Sequence, residues 1–237
     1  MADPQTGISS LGLWLIVSAL QVAIKLTATL TFGTISPLIE KMNNLGRPLE
    51  FDPDNATDAA MEVFWCKGYE ATSMTDLLQA MELSKSSLYQ TFGSKQELFE
   101  RCLTRYVNWL SSNMTKQLDE AKSGRNFIET LFTTIANTAQ QPEGAKGCLM
   151  VNSINEFGQK DPAIALSLEE SVSIFTKLFI KAVKRAQTEG DISPDTDPRA
   201  IANYLHVAVS GLRTMIKAGA DKNSVKDTVT MLLKAID

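Results

Sequence analysis

Nucleophilic and metal-binding side chains are scarce in this chain of 237 residues, which has three cysteines, Cys66, Cys102 and Cys148, and one histidine, His206. That set cannot assemble a zinc site of two cysteines with two histidines, or of four cysteines, and it fits no disulfide framework. A reduced, cytoplasmic chain without metal or other cofactor is the expectation. No Gly-x-Ser-x-Gly, Gly-x-Gly-x-x-Gly or phosphate-loop pattern occurs, and the adjacent carboxylates Glu169 and Glu170 do not share a helix face. The chain is therefore not expected to be an enzyme. One thiol stands apart: Cys148 follows Gly147 at a helix start, where the helix dipole and Lys146 favour a thiolate. Burial as a plain core residue is the competing reading for Cys148, and it is the preferred one for Cys66 and Cys102.

The second chemical cluster makes hydrogen bonds. In Ser84-Lys85-Ser86-Ser87-Leu88-Tyr89-Gln90-Thr91-Phe92, Leu88 and Phe92 are spaced to anchor a short helix beside Leu77 and Phe64. Lys85, Ser86, Ser87 and Gln90 then share the other face, and Tyr89 offers a flat body with a hydroxyl suited to a phosphate oxygen. The net charge of −4 argues against a polyanionic partner until its distribution is followed. Residues 42–101 carry 5 basic and 10 acidic side chains, yet no acid lies between Leu83 and Gln96, where Lys85 and Lys95 fall. A locally positive face on an acidic domain is expected. Further phosphate contacts are expected from helix N-termini at Thr72 and Ser73, and from Arg47 in an arm reaching a minor groove.

These residues need elements to hold them. From Asp52 onward the pattern is helical throughout, with no alternating run of strand length. Asp52-Pro53 opens a helix that Gly68 stops. Ser73 caps a short helix through Ala80, and Met81-Glu82-Leu83 is a turn. Ser84 caps a second short helix to Phe92, and Ser94 opens a long one towards Ala121. Helix, three-residue turn, helix is the spacing of a helix-turn-helix, whose second helix enters the major groove. Five longer helices are predicted beyond: Arg125 to Ala139, Cys148 to Phe157, Ala163 to Glu189, Arg199 to Ala218 and Lys222 to Ile236. The fold class is all-α: a three-helix head followed by a larger body. Apolar stripes along the last two helices, including Val207, Ala208, Gly211, Met215, Val229 and Leu232, suit either a dimer face or the monomer core. Phe127, Phe132, Phe175 and Phe179 suit either a cavity lining or plain packing.

Residues 11–32 form an apolar run about as long as the roughly 20 residues that span a bilayer. Three readings fit: a membrane anchor, a stray apolar helix, or upstream sequence read from a start codon placed too early, with Met42 as the later start. The preceding residues carry no Lys or Arg, which disfavours a signal peptide. The expected division is an extension over 1–41, a helix-turn-helix DNA-binding domain over 42–100 and a larger helical body over 101–237. The second functional reading is a helical interaction module tethered to a membrane by residues 11–32.

Gly68-Tyr69-Glu70-Ala71-Thr72-Ser73-Met74, Leu83-Ser84-Lys85-Ser86-Ser87-Leu88-Tyr89 and Phe92-Gly93-Ser94-Lys95 resemble the head of the TetR/AcrR family of one-component transcriptional regulators. The segment Gly147-Cys148-Leu149-Met150-Val151-Asn152 resembles one that recurs in a branch of that family. The resemblance implies a homodimer whose heads read a near-palindromic double-stranded DNA operator, and a body in which an unknown small-molecule inducer or electrophile triggers release. It also implies DNA contacts from the residues of the recognition window, Ser84 included. Redox sensing would fall to Cys148, with Lys217 near the place where related sensors carry a lysine partner for the cysteine; Asn152, Phe175 and His206 are candidate ligand contacts from the residues themselves, with a structural or surface role as the competing reading for His206. Two departures are notable: Glu82 stands where the family commonly has Gly, and Ser86 often corresponds to a Gly. Glu82 is expected to carry backbone strain if its φ is positive.

Overall fold

The computed structural model describes residues 51–158 and 162–237, and the side chains at positions 162 and 163 are not described. The expectations for residues 11–32, for a start at Met42 and for Arg47 lie outside these residues. Among the described residues there is no strand, and no helix is long and apolar enough to cross a membrane. The all-α expectation holds.

The head consists of α1 (Pro53–Lys67), α2 (Met74–Met81) and α3 (Lys85–Phe92). Its punctuation follows the sequence. The Asp52 carboxylate caps α1 by accepting from the Asp54 amide at 2.8 Å, and Gly68 ends the helix at φ 82°. Phe64, Leu77, Leu88 and Phe92 are buried together with Leu98 and Phe99 of α4 (Lys95–Glu120). Phe64 meets Phe99 edge to face at 5.0 Å between ring centroids. Such contacts add to the area these rings remove from water. Arg105 of α4 binds Asp58 of α1 through two hydrogen bonds, 2.5 and 2.7 Å long, and its guanidinium holds the Asp58 carboxyl below the usual carboxylate range.

α4 serves both parts. Its first turns pack on the head, while Met114 and Leu118 near its end are buried and the helix packs against α5 (Gly124–Asn137) and α8 (Pro162–Glu189). The expected boundary at residue 100 therefore falls inside an unbroken helix. The body continues with α6 (Pro142–Lys146), α7 (Leu149–Phe157), α9 (Pro198–Lys217) and α10 (Lys222–Lys234). α8 is its spine, packed by α4, α5, α7 and α9. At Gly124 a Cβ would lie 2.3 Å from the Ala182 carbonyl oxygen and 2.5 Å from the Ala186 nitrogen, so only glycine lets α5 start against the α8 backbone.

Two differences from the sequence reading are local. α6 arises where Pro142, Gly144 and Gly147 read as punctuation; Pro142 at its N1 position suits a helix opening, and five residues are too few for a periodicity to register. Cys66 is not a core residue: it lies on the exposed side of α1, where its thiol donates to Glu62 Oε1 at 3.4 Å. Cys102 is core as expected, its thiol on the Thr57 carbonyl at 3.5 Å and its pKa pushed up to about 12 by burial.

Candidate functional site

The turn between α2 and α3 is built by side-chain caps. Glu82 ends α2 in the left-handed region, φ 53° and ψ 38°, so the residue standing where glycine is usual does carry the strained conformation. Ser84 then caps α3, accepting from the Ser87 amide at 3.1 Å, and its hydroxyl lies 2.9 Å from the Ser87 hydroxyl. With Leu88 and Phe92 turned into the core, Lys85, Ser86, Tyr89 and Gln90 are exposed along one surface. The Lys85 ammonium lies 6.0 Å from the centre of the Tyr89 ring. Lys95, at the first turn of α4, sits over the Tyr69 ring at 4.2 Å and is half-buried.

Two residues expected to meet phosphate at the start of α2 make hydrogen bonds within the protein. Thr72 is buried at 1% exposure, and its hydroxyl donates to the Gly68 carbonyl at 2.6 Å. Ser73 is exposed, but its amide and hydroxyl both donate to Asp76 Oδ2, at 2.9 and 2.8 Å. The capping box thus fills with its own carboxylate the anion position that the bare N-terminus offered. Lys67 binds Asp76 at 2.7 Å, and these partners bring its pKa from 3.8 to about 2.

In the body, a cavity of about 240 Å³ lies among α4, α5, α7, α8 and α9. Its walls are mainly apolar and aromatic, with Trp109, Leu110, Ile135, Val151, Phe175 and Phe179 among them. Cys148, the N-cap of α7, is buried on this wall, where its sulfur accepts the Tyr106 hydroxyl at 3.4 Å. Burial and the adjacent thiol raise the Tyr106 pKa well above 10, so the hydroxyl stays a donor. α9 contributes His206, Val209, Ser210 and Arg213, which share one helix face by their three- and four-residue spacing. Burial lowers the His206 pKa below 6.5, which leaves its ring neutral at pH 7.

The cavity brings together three of the five sensing residues read from sequence: Cys148, Phe175 and His206. Asn152 and Lys217 line a different cleft, with Cys66, Gly68 and Glu156. Asn152 braces the α6–α7 loop by donating to the Lys146 carbonyl at 2.8 Å, and the Lys217 stem packs where a Cβ on Gly147 would fall, 3.1 Å away. Lys217 therefore does not share the Cys148 cavity. Phe127 and Phe132 are core. Sequence reading missed Trp65, Tyr106, Trp109 and Arg213. Arg213 carried a signal, because it stands seven residues after His206 and so on the same face.

The cavity wall is also the joint with the head. Trp65 of α1 lines the cavity and donates its indole N–H to the Gly147 carbonyl at 3.3 Å. Glu62 of α1 pairs with Lys146, and Glu156 of α7 accepts from the Tyr69 and Glu70 amides at 2.9 and 2.6 Å. Trp65, Tyr106 and Trp109 also border an open groove of about 850 Å³.

A helix-turn-helix head joined through one long helix to an all-α body with a cavity defines a class of regulators. The family model described as bacterial regulatory proteins, tetR family, matches residues 56–102, and the one described as tetracyclin repressor-like, C-terminal domain, matches residues 124–232. YezE of Bacillus subtilis (strain 168), an HTH-type transcriptional regulator, is 32% identical over 194 residues, covering 81% of this chain and 100% of that protein. The HTH-type transcriptional repressor ComR of Escherichia coli (strain K12) is 32% identical over 176 residues, covering 74% and 84%. The chain belongs to the TetR family of transcriptional regulators. A cysteine variant of the TetR family regulator CifR, solved with 26-base-pair operator DNA, superposes with a TM-score of 0.71 at 31% identity, covering 80% of this chain and 99% of that one.

Proposed function

We propose that the chain is a repressor that binds a palindromic double-stranded operator as a homodimer and leaves it when a small molecule or electrophile enters the body cavity. The observation that carries the reading is the exposed face of α3, where Lys85, Ser86, Tyr89 and Gln90 stand together in a stretch free of acids. Lys85 and Lys95 neutralise phosphate, Ser86 and Gln90 reach base edges, and Tyr89 reaches the backbone; Ser84 and Ser87 fix the helix start that aims them. Residues 42–100, with Arg47 in the arm, form the DNA-reading part and residues 101–237 the ligand and dimer part. The protein acts in the cytoplasm by occupying DNA and not by catalysis. Exposed Val207 and Met215 on α9 and Met231 on α10 supply an apolar face for the second copy.

Transmission follows from Trp65, which belongs to the head yet walls the cavity. A ligand filling the cavity pushes on Trp65 and the α6–α7 loop, and hence on the angle of α1. Cys148 offers a second trigger, because an electrophile small enough to enter meets its thiol beside Tyr106.

The test is fluorescence anisotropy with the chain's own upstream DNA. The expected result is salt-sensitive binding to a short inverted repeat, weakened about tenfold by Tyr89→Ala, with Lys85→Ala reducing the salt slope by about 1. Unchanged binding in both variants removes α3 as the reading helix. If Cys148→Ser leaves release by quinones or aldehydes unchanged, the thiol trigger is wrong.

A further inference from the structure

The polar groups on the cavity wall divide into those already engaged and those that are not. The Trp65 indole, the Tyr106 hydroxyl and the Thr138 hydroxyl each donate within the protein. The Arg213 and His206 side chains are among those that are not engaged: among the described residues neither side chain has a hydrogen-bond or ion-pair partner. A half-buried guanidinium beside apolar walls, with no counter-charge bound to it, keeps its planar set of donors available to an anionic ligand. Its charge reaches the cavity, since it opposes the upward shift of the Tyr106 hydroxyl.

We propose that the cavity takes a small monocarboxylic acid with an apolar or aromatic body, its carboxylate held in the fork of Arg213. Three features define that class. The guanidinium matches a carboxylate through two parallel hydrogen bonds. The walls around it, such as Ile135, Val151, Phe175 and Phe179, favour a compact hydrocarbon body over a sugar or nucleotide. The volume, about 240 Å³, lies below the range of roughly 300–1,000 Å³ usual for ligand pockets, so the body is small. Glu143 borders the cavity as an exposed carboxylate, and its repulsion restricts the ligand to one acid group. The inference deepens the ligand-responsive reading above and rests on it for its consequence at the operator.

The experiment is calorimetric titration of the full chain at pH 7, in a buffer without carboxylates, with 1-naphthoate and its neutral isostere 1-naphthamide. The acid is expected to bind at least tenfold more tightly, and Arg213→Met to erase that preference; if that variant is unfolded by thermal denaturation, Arg213→Gln is read by the same criterion. Bound naphthoate should also slow alkylation of Cys148 by iodoacetamide, followed by peptide mass spectrometry, which locates the acid in this cavity. Equal affinities, no binding of either probe, a preference that survives loss of the guanidinium, or an unchanged Cys148 rate would each overturn the proposal. Operator binding without ligand, measured separately, reports on the regulator reading: a chain that prefers the acid but ignores DNA defeats that reading and leaves the cavity assignment standing.

Discussion

The reading helix and the cavity are built in opposite ways. α3 is held by neighbours in sequence, with Ser84 capping it, Leu88 and Phe92 anchoring it and Glu82 turning the chain into it. The cavity is held by residues from across the chain, since Trp65 and Arg213 are 148 positions apart and meet one space. A site made locally can vary its exposed face without disturbing its frame. A site made by convergence cannot change one wall without moving another, and here one wall is part of the head. That difference is what the proposed coupling of cavity to helix-turn-helix uses.

The comparison can be broken most forcefully at the core that anchors α3. Phe64→Ala removes a ring that is 1% exposed and packed on Phe99, and is expected to cost about 3–5 kcal/mol in chemical denaturation. A loss near 1 kcal/mol would mean that the head collapses around the gap and is less dependent on α4 than its packing implies. Next comes the joint itself. Glu156→Ala leaves the Tyr69 and Glu70 amides without their carboxylate and is expected to cost about 2 kcal/mol, while operator affinity without ligand changes little. Equal losses of stability and operator affinity would show that the joint holds the reading geometry as well as linking the two parts.

The smaller effects sharpen the local side. Glu82→Gly relieves the positive φ and should raise stability by about 0.5–1 kcal/mol in the same assay. Destabilisation would mean that the Glu82 side chain makes up for its backbone. The smallest effect is a pH dependence. The folded pKa of Asp76, about 2, lies below its ordinary 3.8, so its contribution is present above pH 3.8 and fades as pH falls towards 2. Asp76→Asn should flatten the thermal midpoint over that interval, and an unaltered profile would assign the acid sensitivity elsewhere.

Legibility in the sequence follows the same division. The bounds of α1, α3 and α4 could be read closely because Asp52, Gly68, Ser84 and Ser94 act within four residues of the ends they set. The apolar positions Phe64, Leu77, Leu88 and Phe92 were readable as one core for the same reason, helical spacing. At Thr72 and Ser73 a hydroxyl near a helix start serves a cap or a phosphate equally well in sequence, and only the tertiary structure reveals their bonds to Gly68 and Asp76. The stripes on α9 and α10 divided: Leu205, Ala208, Leu212 and Val225 close the monomer core, while Val207 and Met215 face outward at 70% and 38% exposure.

The sequence by itself determined the all-α class, the helix-turn-helix and the acid-free exposed face of α3, because these depend on periodicity and capping over a few turns. Only the tertiary structure decided that Cys148 shares a cavity with Phe175 and His206 and not with Lys217. It alone placed Trp65 of the head on that wall, exposed Cys66, and left the Arg213 side chain without a partner among the described residues. Those facts depend on how α4, α7, α8 and α9 cross, and long-range packing sets which faces meet without leaving a local trace in the order of residues.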